Sequence, residues 1–196
     1  MAISLRARIL DAVHDCIARV GIAKTTLDDV AREAGCSRAT LYRHFSGKPE
    51  LLASLVEREV ERLGSALAAA TEPATDLAEA CAAVVVEGAE FLLDHAALDA
   101  VVAIEPSVIL PVLSLGQADE FTKAAARVVA PHLRRHLTSD SEAERLADLL
   151  VRITLSHLQS PDSKRPITHL QVARHLVDQY IVPGFVREPV AGGTLS

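Results

Sequence analysis

Apolar residues recur three and four positions apart along most of this chain, the spacing of amphipathic α-helices. Ile9, Ala12, Val13, Cys16, Ile17 and Val20 outline a first helix that ends at Gly21. Leu27, Val30, Ala31 and Ala34 outline a short second helix, with Thr26 as its N-cap, Asp29 in the place of a capping-box acid and Gly35 as its stop. Ser37 caps a third short helix over Arg38 to His44. A long fourth helix starts at Lys48-Pro49, where proline in the first turn costs little, and runs through Leu51, Leu55, Val60, Leu63 and Leu67. After a break at Thr71 to Thr75, helices are expected over about 76–95, 97–104, 106–114, 117–137, 141–158 and 168–181. Pro131 should kink the helix that contains it. There is no period-2 run and no Asn-Gly or Asp-Gly hairpin signal. The pattern predicts an all-α protein with a three-helix head over 1–47 and a larger helical domain over 48–188. The first helix of that domain, 48–70, would link the two, and 189–196 would be a frayed tail.

Charge sharpens this division. Residues 1–48 carry Arg6, Arg8, Arg19, Lys24, Arg32, Arg38, Arg43 and Lys48 against Asp11, Asp15, Asp28, Asp29 and Glu33, a net of +3. The rest of the chain carries −9, which gives the overall −6. A basic head on an acidic body points to a head that meets an anion. The length of 196 residues allows one domain, or a small one joined to a medium one. Cys16, Cys36 and Cys81 are odd in number and lack CxxC spacing, which excludes a disulfide framework and a cysteine zinc site and fits a reducing cytoplasm. No apolar run reaches the length of a membrane span, and the first residues lack a secretory pattern. A cytoplasmic protein without membrane partners is expected.

The chemistry concentrates between residues 25 and 48. Ala31, Gly35 and Leu41 supply, at offsets 0, 4 and 10, what two short crossing helices need: a small residue at the crossing, a glycine in the turn and an apolar residue on the second helix. In a helix-turn-helix the second helix enters the DNA major groove with its N-terminal residues at the base edges. Here that surface would be Ser37, Arg38, Ala39, Thr40, Tyr42, Arg43 and His44. Arg38 can pair with both acceptors of a guanine, and Ala39 can touch a thymine methyl. The hydroxyls of Thr40 and Tyr42, with His44 and Lys48, suit phosphates. Thr25 and Thr26 would place a hydroxyl and free N–H groups at a helix start where a phosphate can sit. The competing reading is a solvated surface helix of an ordinary bundle. The threonine caps, the basic head and Tyr42 together favour DNA.

The segment from Ile9 to Leu52 resembles the DNA-binding region of the TetR family of bacterial transcriptional regulators. The resemblance is carried by Gly21, Thr25-Thr26, Val30-Ala31, Ala34-Gly35, Ser37, Thr40-Leu41-Tyr42, His44-Phe45, Lys48 and Leu51-Leu52. It implies a homodimer, a palindromic double-stranded operator and an all-helical C-terminal domain that usually binds a small molecule. It implies phosphate contacts at Thr40, Tyr42, His44 and Lys48, and sequence preference set by Arg38, Ala39 and Arg43.

The body is less legible. The resemblance implies a dimer interface on the last two long helices, which carry Leu149, Leu150, Ile153, His157, Leu170, Ala173, Val177 and Tyr180. An effector pocket is expected among Val84, Phe91, His95, Glu105, Ile109, Leu113, Phe121, His132 and Arg152. Its aliphatic character leans toward an aliphatic or acyl effector, although each apolar residue would serve equally as plain core. Glu105 and Arg152, polar residues in apolar surroundings, are expected to pair in the interior. His132 and His136 stand four apart, but no third ligand accompanies them and Arg134 and Arg135 repel cations, so no metal is expected. No nucleophile motif or phosphate-binding glycine loop is present, so neither an enzyme nor a cofactor is expected. The expected function is that of a ligand-released, homodimeric repressor. The alternative is a helical small-molecule-binding or interaction protein without operator binding.

Overall fold

In a computed structural model, which describes residues 4–105, 107 and 118–185, the described residues are helical and contain no strand. The helices are α1 (Leu5–Lys24), α2 (Leu27–Glu33), α3 (Arg38–His44), α4 (Lys48–Thr71), α5 (Leu77–Leu93), α6 (Ala96–Ile104), α7 (Ala118–Val129), α8 (Asp140–Gln159) and α9 (Leu170–Leu176). None is long and apolar enough to cross a membrane. The chain divides into two compact units, Met1–Arg62 with Leu92–Asp119, and Leu63–Phe91 with Glu120–Ser196.

The first unit is built on the apolar faces read from the sequence. Ile9, Val13, Cys16 and Ile17 of α1 meet Val30, Ala31 and Leu41 of α2 and α3, and Phe45, Leu51 and Leu55 close the core. Ala97 and Val101 bring α6 into the same core. Arg6 lies over the Phe45 ring at 4.6 Å and donates to Ser54 Oγ at 3.0 Å, holding the start of α1 against α4. The regular helix of α1 breaks at Gly21, whose φ of 82° is open to glycine and costly for other residues.

The second unit is packed around Leu77, Val84 and Val85 of α5, Leu133, Leu146 and Leu150 of the following segments, and Val177 and Ile181 at the end. Pro131 acts as a stop. α7 ends at Val129, and Ala130–His132 and Arg134–His136 continue as single 3₁₀ turns. A proline removes the helical N–H and crowds the preceding turn, so the tighter turn replaces the α-helix there. Arg135 donates to the carbonyls of Thr71, Glu72 and Ala74, which caps the C-terminus of α4. After Leu176 the chain widens into a π-helical stretch, Val177–Ile181, before Pro183. The helix expected over 106–114 lies outside the described residues.

Candidate nucleic-acid interface

α2, the turn after it and the start of α3 are set mainly by local interactions. Thr26 Oγ1 accepts from Asp29 N–H at 3.2 Å and starts α2. Its own hydroxyl donates to Asp29 Oδ2, and that bond, with Arg32 beside it, holds the Asp29 carboxyl below its ordinary pKa. At the other end, Gly35 N–H bonds Arg32 O at 3.1 Å and Cys36 N–H bonds Ala31 O at 2.9 Å. This is a Schellman closure with glycine at its left-handed position, φ 63°. Arg8 donates to the Ala34 carbonyl from α1, and a Cβ on Gly35 would lie 3.0 Å from the Arg8 Nη2. Ser37 Oγ then accepts from Thr40 N–H at 3.1 Å and starts α3.

Leu41 is the one buried residue of α3, so the helix has a single inward contact and presents the rest of its surface. Ser37, Arg38, Ala39, Tyr42 and Arg43 are exposed, and Thr40 and His44 are half-buried at the flanks. Arg38 donates to Asp28 Oδ2 at 3.0 Å and lies 5.5 Å above the Tyr42 ring. Arg38 is thus held near the start of α3 by an internal counter-ion, which a nucleic acid has to displace. Asp28 is ten residues away, and no local pattern marked it as that partner.

Two residues expected on this surface are used internally. Thr25 is only 3% exposed, and its hydroxyl donates to Gly21 O at 2.7 Å, satisfying a carbonyl at the end of α1. Its side chain therefore does not face a phosphate. Lys48 Nζ donates to the carbonyls of Ile22, Ala23 and Thr25, the last at 2.7 Å. An ammonium has three donors, and these carbonyls take all three. The conflict arises because Lys48 and the Gly21–Thr25 stretch meet only in the fold.

Residues 9–55 match the family model described as bacterial regulatory proteins, tetR family. The chain's head therefore carries the helix-turn-helix of the TetR family. An HTH-type transcriptional regulator of Mycobacterium tuberculosis H37Rv, Rv1255c, is 44% identical over 57 residues, 29% of this chain and 28% of that protein. The match to that relative spans little more than a quarter of its length. The HTH-type transcriptional regulator AlkX of the same organism is 28% identical over 162 residues, 80% of this chain and 76% of AlkX. The crystal structure of the TetR family repressor AlkX from Dietzia sp., implicated in biodegradation of n-alkanes, shares the fold with a TM-score of 0.64. It does so at 20% identity, over 92% of this chain and 96% of that one. The helix-turn-helix of this chain therefore matches that family's DNA-binding region.

The remainder of the chain departs from the sequence expectations in several places. The residues expected around one pocket differ in burial. Val84 is core, Phe91 and His132 are half-buried and Phe121 is 40% exposed, while Ile109 and Leu113 lie outside the described residues. His95 is the N-cap of α6, its Nδ1 accepting from Leu98 N–H at 3.1 Å. Its Nε2 stands 3.6 Å from Glu59, and its ring meets His14 edge-on at 5.3 Å. Burial lowers its pKa against the opposing pull of Glu59. Glu105 and Arg152 do not pair with each other. Glu105 accepts from the backbone of Ile22 and Ala23, and Arg152 bonds Asp148 on its own helix at 2.8 Å. Both polar groups found nearer partners than the ones that composition suggested.

The second unit holds a groove of about 680 Å³ lined in part by Ala70, Ala74, Ala82 and Ala83. Arg174, at its edge, bonds Asp76 and Asp178 at 3.2 and 2.9 Å. None of the residues expected to line a pocket borders it. The expected dimer residues split by helical phase. Leu150, Ala173 and Val177 are fully buried within the chain's own core and cannot form an outer surface. Leu149, Ile153 and His157, spaced four apart, occupy the neighbouring face of α8 and are half-buried. Leu170 and Tyr180 are 60% and 77% exposed.

Proposed function

We propose that this chain is a homodimeric transcriptional repressor that binds a palindromic operator and is released from it by a small aliphatic or acyl effector. The observation that carries the reading is the face of α3, where one buried leucine leaves Arg38, Ala39, Tyr42 and Arg43 turned outward behind a Schellman turn. In this reading residues 1–47 recognise the operator in the cytoplasm, and residues 48–188 dimerise and bind the effector. Arg38, Ala39 and Arg43 read bases, while Thr26, Ser37, Thr40, Tyr42 and His44 hold phosphates. Two copies related by a twofold axis would place their α3 helices roughly 34–36 Å apart, one turn of DNA.

Leu170 and Tyr180 support the dimer, since exposed apolar side chains at the end of a chain suit a self-complementary patch. The aliphatic effector is supported by the likeness to two proteins named AlkX, one of them implicated in biodegradation of n-alkanes. Sedimentation of the wild type and of a Leu170→Glu/Tyr180→Glu double variant tests the assembly. The wild type should sediment as a dimer and the variant as a monomer with lost DNA binding. A wild type that stays monomeric at working concentration, or a variant that stays dimeric, contradicts the assignment.

A further inference from the structure

The stretch Gly21–Thr25, which enters the helix-turn-helix, is held from two sides. Gly21, at φ 82°, turns the chain so that the next two N–H groups face α6. The Glu105 carboxylate, at the C-cap of α6, accepts both: Oε2 from Ile22 N–H at 3.0 Å and Oε1 from Ala23 N–H at 2.7 Å. A Cβ on Gly21 would sit 3.0 Å from Glu105 Oε1, so glycine also permits the approach. The carbonyls of Ile22, Ala23 and Thr25 are gathered by Lys48 from α4. Thr25 anchors back to Gly21 O, and Thr26, the next residue, caps α2. The five residues that lead into the Thr26 cap of α2 are thus clamped between one carboxylate and one ammonium.

We infer that Glu105 is a positioning residue for operator binding. It touches no DNA; it fixes the Gly21–Thr25 stretch and through it the direction of α2 and the docking of α3. Charge-assisted bonds to backbone N–H groups are about twice as strong as neutral ones, and here one carboxylate satisfies two N–H groups at a break in a helix. Glu105 lies 79 residues after Thr26 in the chain, so the head's geometry depends on a residue outside the segment that carries the family motif. The inference rests on the proposed reading that the head binds an operator.

The test uses full-length protein and a duplex carrying a site selected by the wild type. Glu105→Gln keeps the side-chain size but leaves one acceptor for two donors. Amide proton shifts of Ile22 and Ala23 should move upfield, and their exchange should quicken, as the carboxylate bonds are lost. Operator affinity should fall roughly 5- to 30-fold, within the range of an energetic coupling between sites. The salt dependence should be unchanged, because no phosphate contact is removed. By linkage, adding operator to the wild type should slow Ile22 and Ala23 exchange by the factor that the variant loses in affinity, and should slow it less in Glu105→Gln. A structural role alone would quicken exchange and leave the affinity of the folded variant within twofold of wild type, which overturns the inference. Unchanged amides in Glu105→Gln overturn it too. A wild type that binds no duplex fails the operator reading itself, and is told apart because the amide measurement needs no DNA.

Discussion

Replacing Gly35 with alanine isolates the turn on which the helix-turn-helix depends. The backbone there is left-handed, φ 63°, and closes a Schellman motif through Gly35 N–H and Cys36 N–H. An L-residue in that region costs about 1–2 kcal/mol. The new Cβ would also stand 3.0 Å from Arg8 Nη2, which donates to Ala34 O. Arg8 is long and can shift by tenths of an ångström, so the lower bound is the strain alone. If Arg8 has to release the carbonyl, a hydrogen bond from a charged group adds about 1.5–3 kcal/mol. The total is about 1–5 kcal/mol. It should fall on the first unit, so hydrogen exchange of α2 and α3 amides in full-length protein is the assay; a single melting point would mix two units. A second background separates the parts. In Arg8→Met protein the alanine should cost only the strain, and the difference between the backgrounds reads the arginine. Exchange in Gly35→Ala within about 0.5 kcal/mol of wild type would refute the assigned turn geometry.

Lys48→Met should destabilise the first unit by about 2 kcal/mol, the scale of hydrogen bonds from a charged donor, and leave the salt slope of DNA binding unchanged; a slope reduced by about one would return Lys48 to a phosphate. Arg38→Ala should weaken binding to the selected site roughly tenfold or more and relax preference at one base position, whereas an equal loss on every sequence would make it a phosphate contact. His95 carries a pH effect. Its folded pKa lies below the usual 6.5, so the folded state favours the neutral ring, and its contribution is full above pH 6.5 and lost as the pH falls through the depressed value. Protonation removes the Nδ1 acceptor of Leu98 N–H and adds charge beside His14 and near Arg62, against the pull of Glu59. Protection of α6 amides should therefore drop below about pH 6.5 in the wild type, and the drop should shrink in His95→Asn, which keeps a capping acceptor; equal drops in both would move the effect to another group.

How far the sequence could be read follows from the range of each interaction. Thr26, Gly35 and Ser37 act within four residues of themselves, so the caps, the turn and the span of α3 were legible from spacing. Thr25 shows the limit. It stands beside Thr26 and has the same chemistry, yet one threonine caps the helix before it and the other the helix after it, and only burial separates them. Lys48 and Glu105 meet Gly21–Thr25 across 23 to 83 residues, where no periodic pattern reaches. In α8 the apolar positions are too many for one stripe. Leu146 and Leu150 turn inward while Leu149 and Ile153 are centred only about 60° round the helix, and sequence alone does not say which face belongs to the core. The pocket was the least legible part, because Val84 and Phe121 are equally good core and lining residues until their burial is known.

The central claim is that the outward face of α3, in a pair of copies, reads a specific DNA sequence. Selection of binding sites from random duplexes by the purified full-length protein, followed by sequencing, tests it most directly. The account predicts enrichment of an inverted repeat whose half-sites are centred about one turn apart, and loss of that enrichment with Arg38→Ala/Arg43→Ala protein. Failure to enrich any sequence at low salt, where electrostatic binding is strongest, would contradict it.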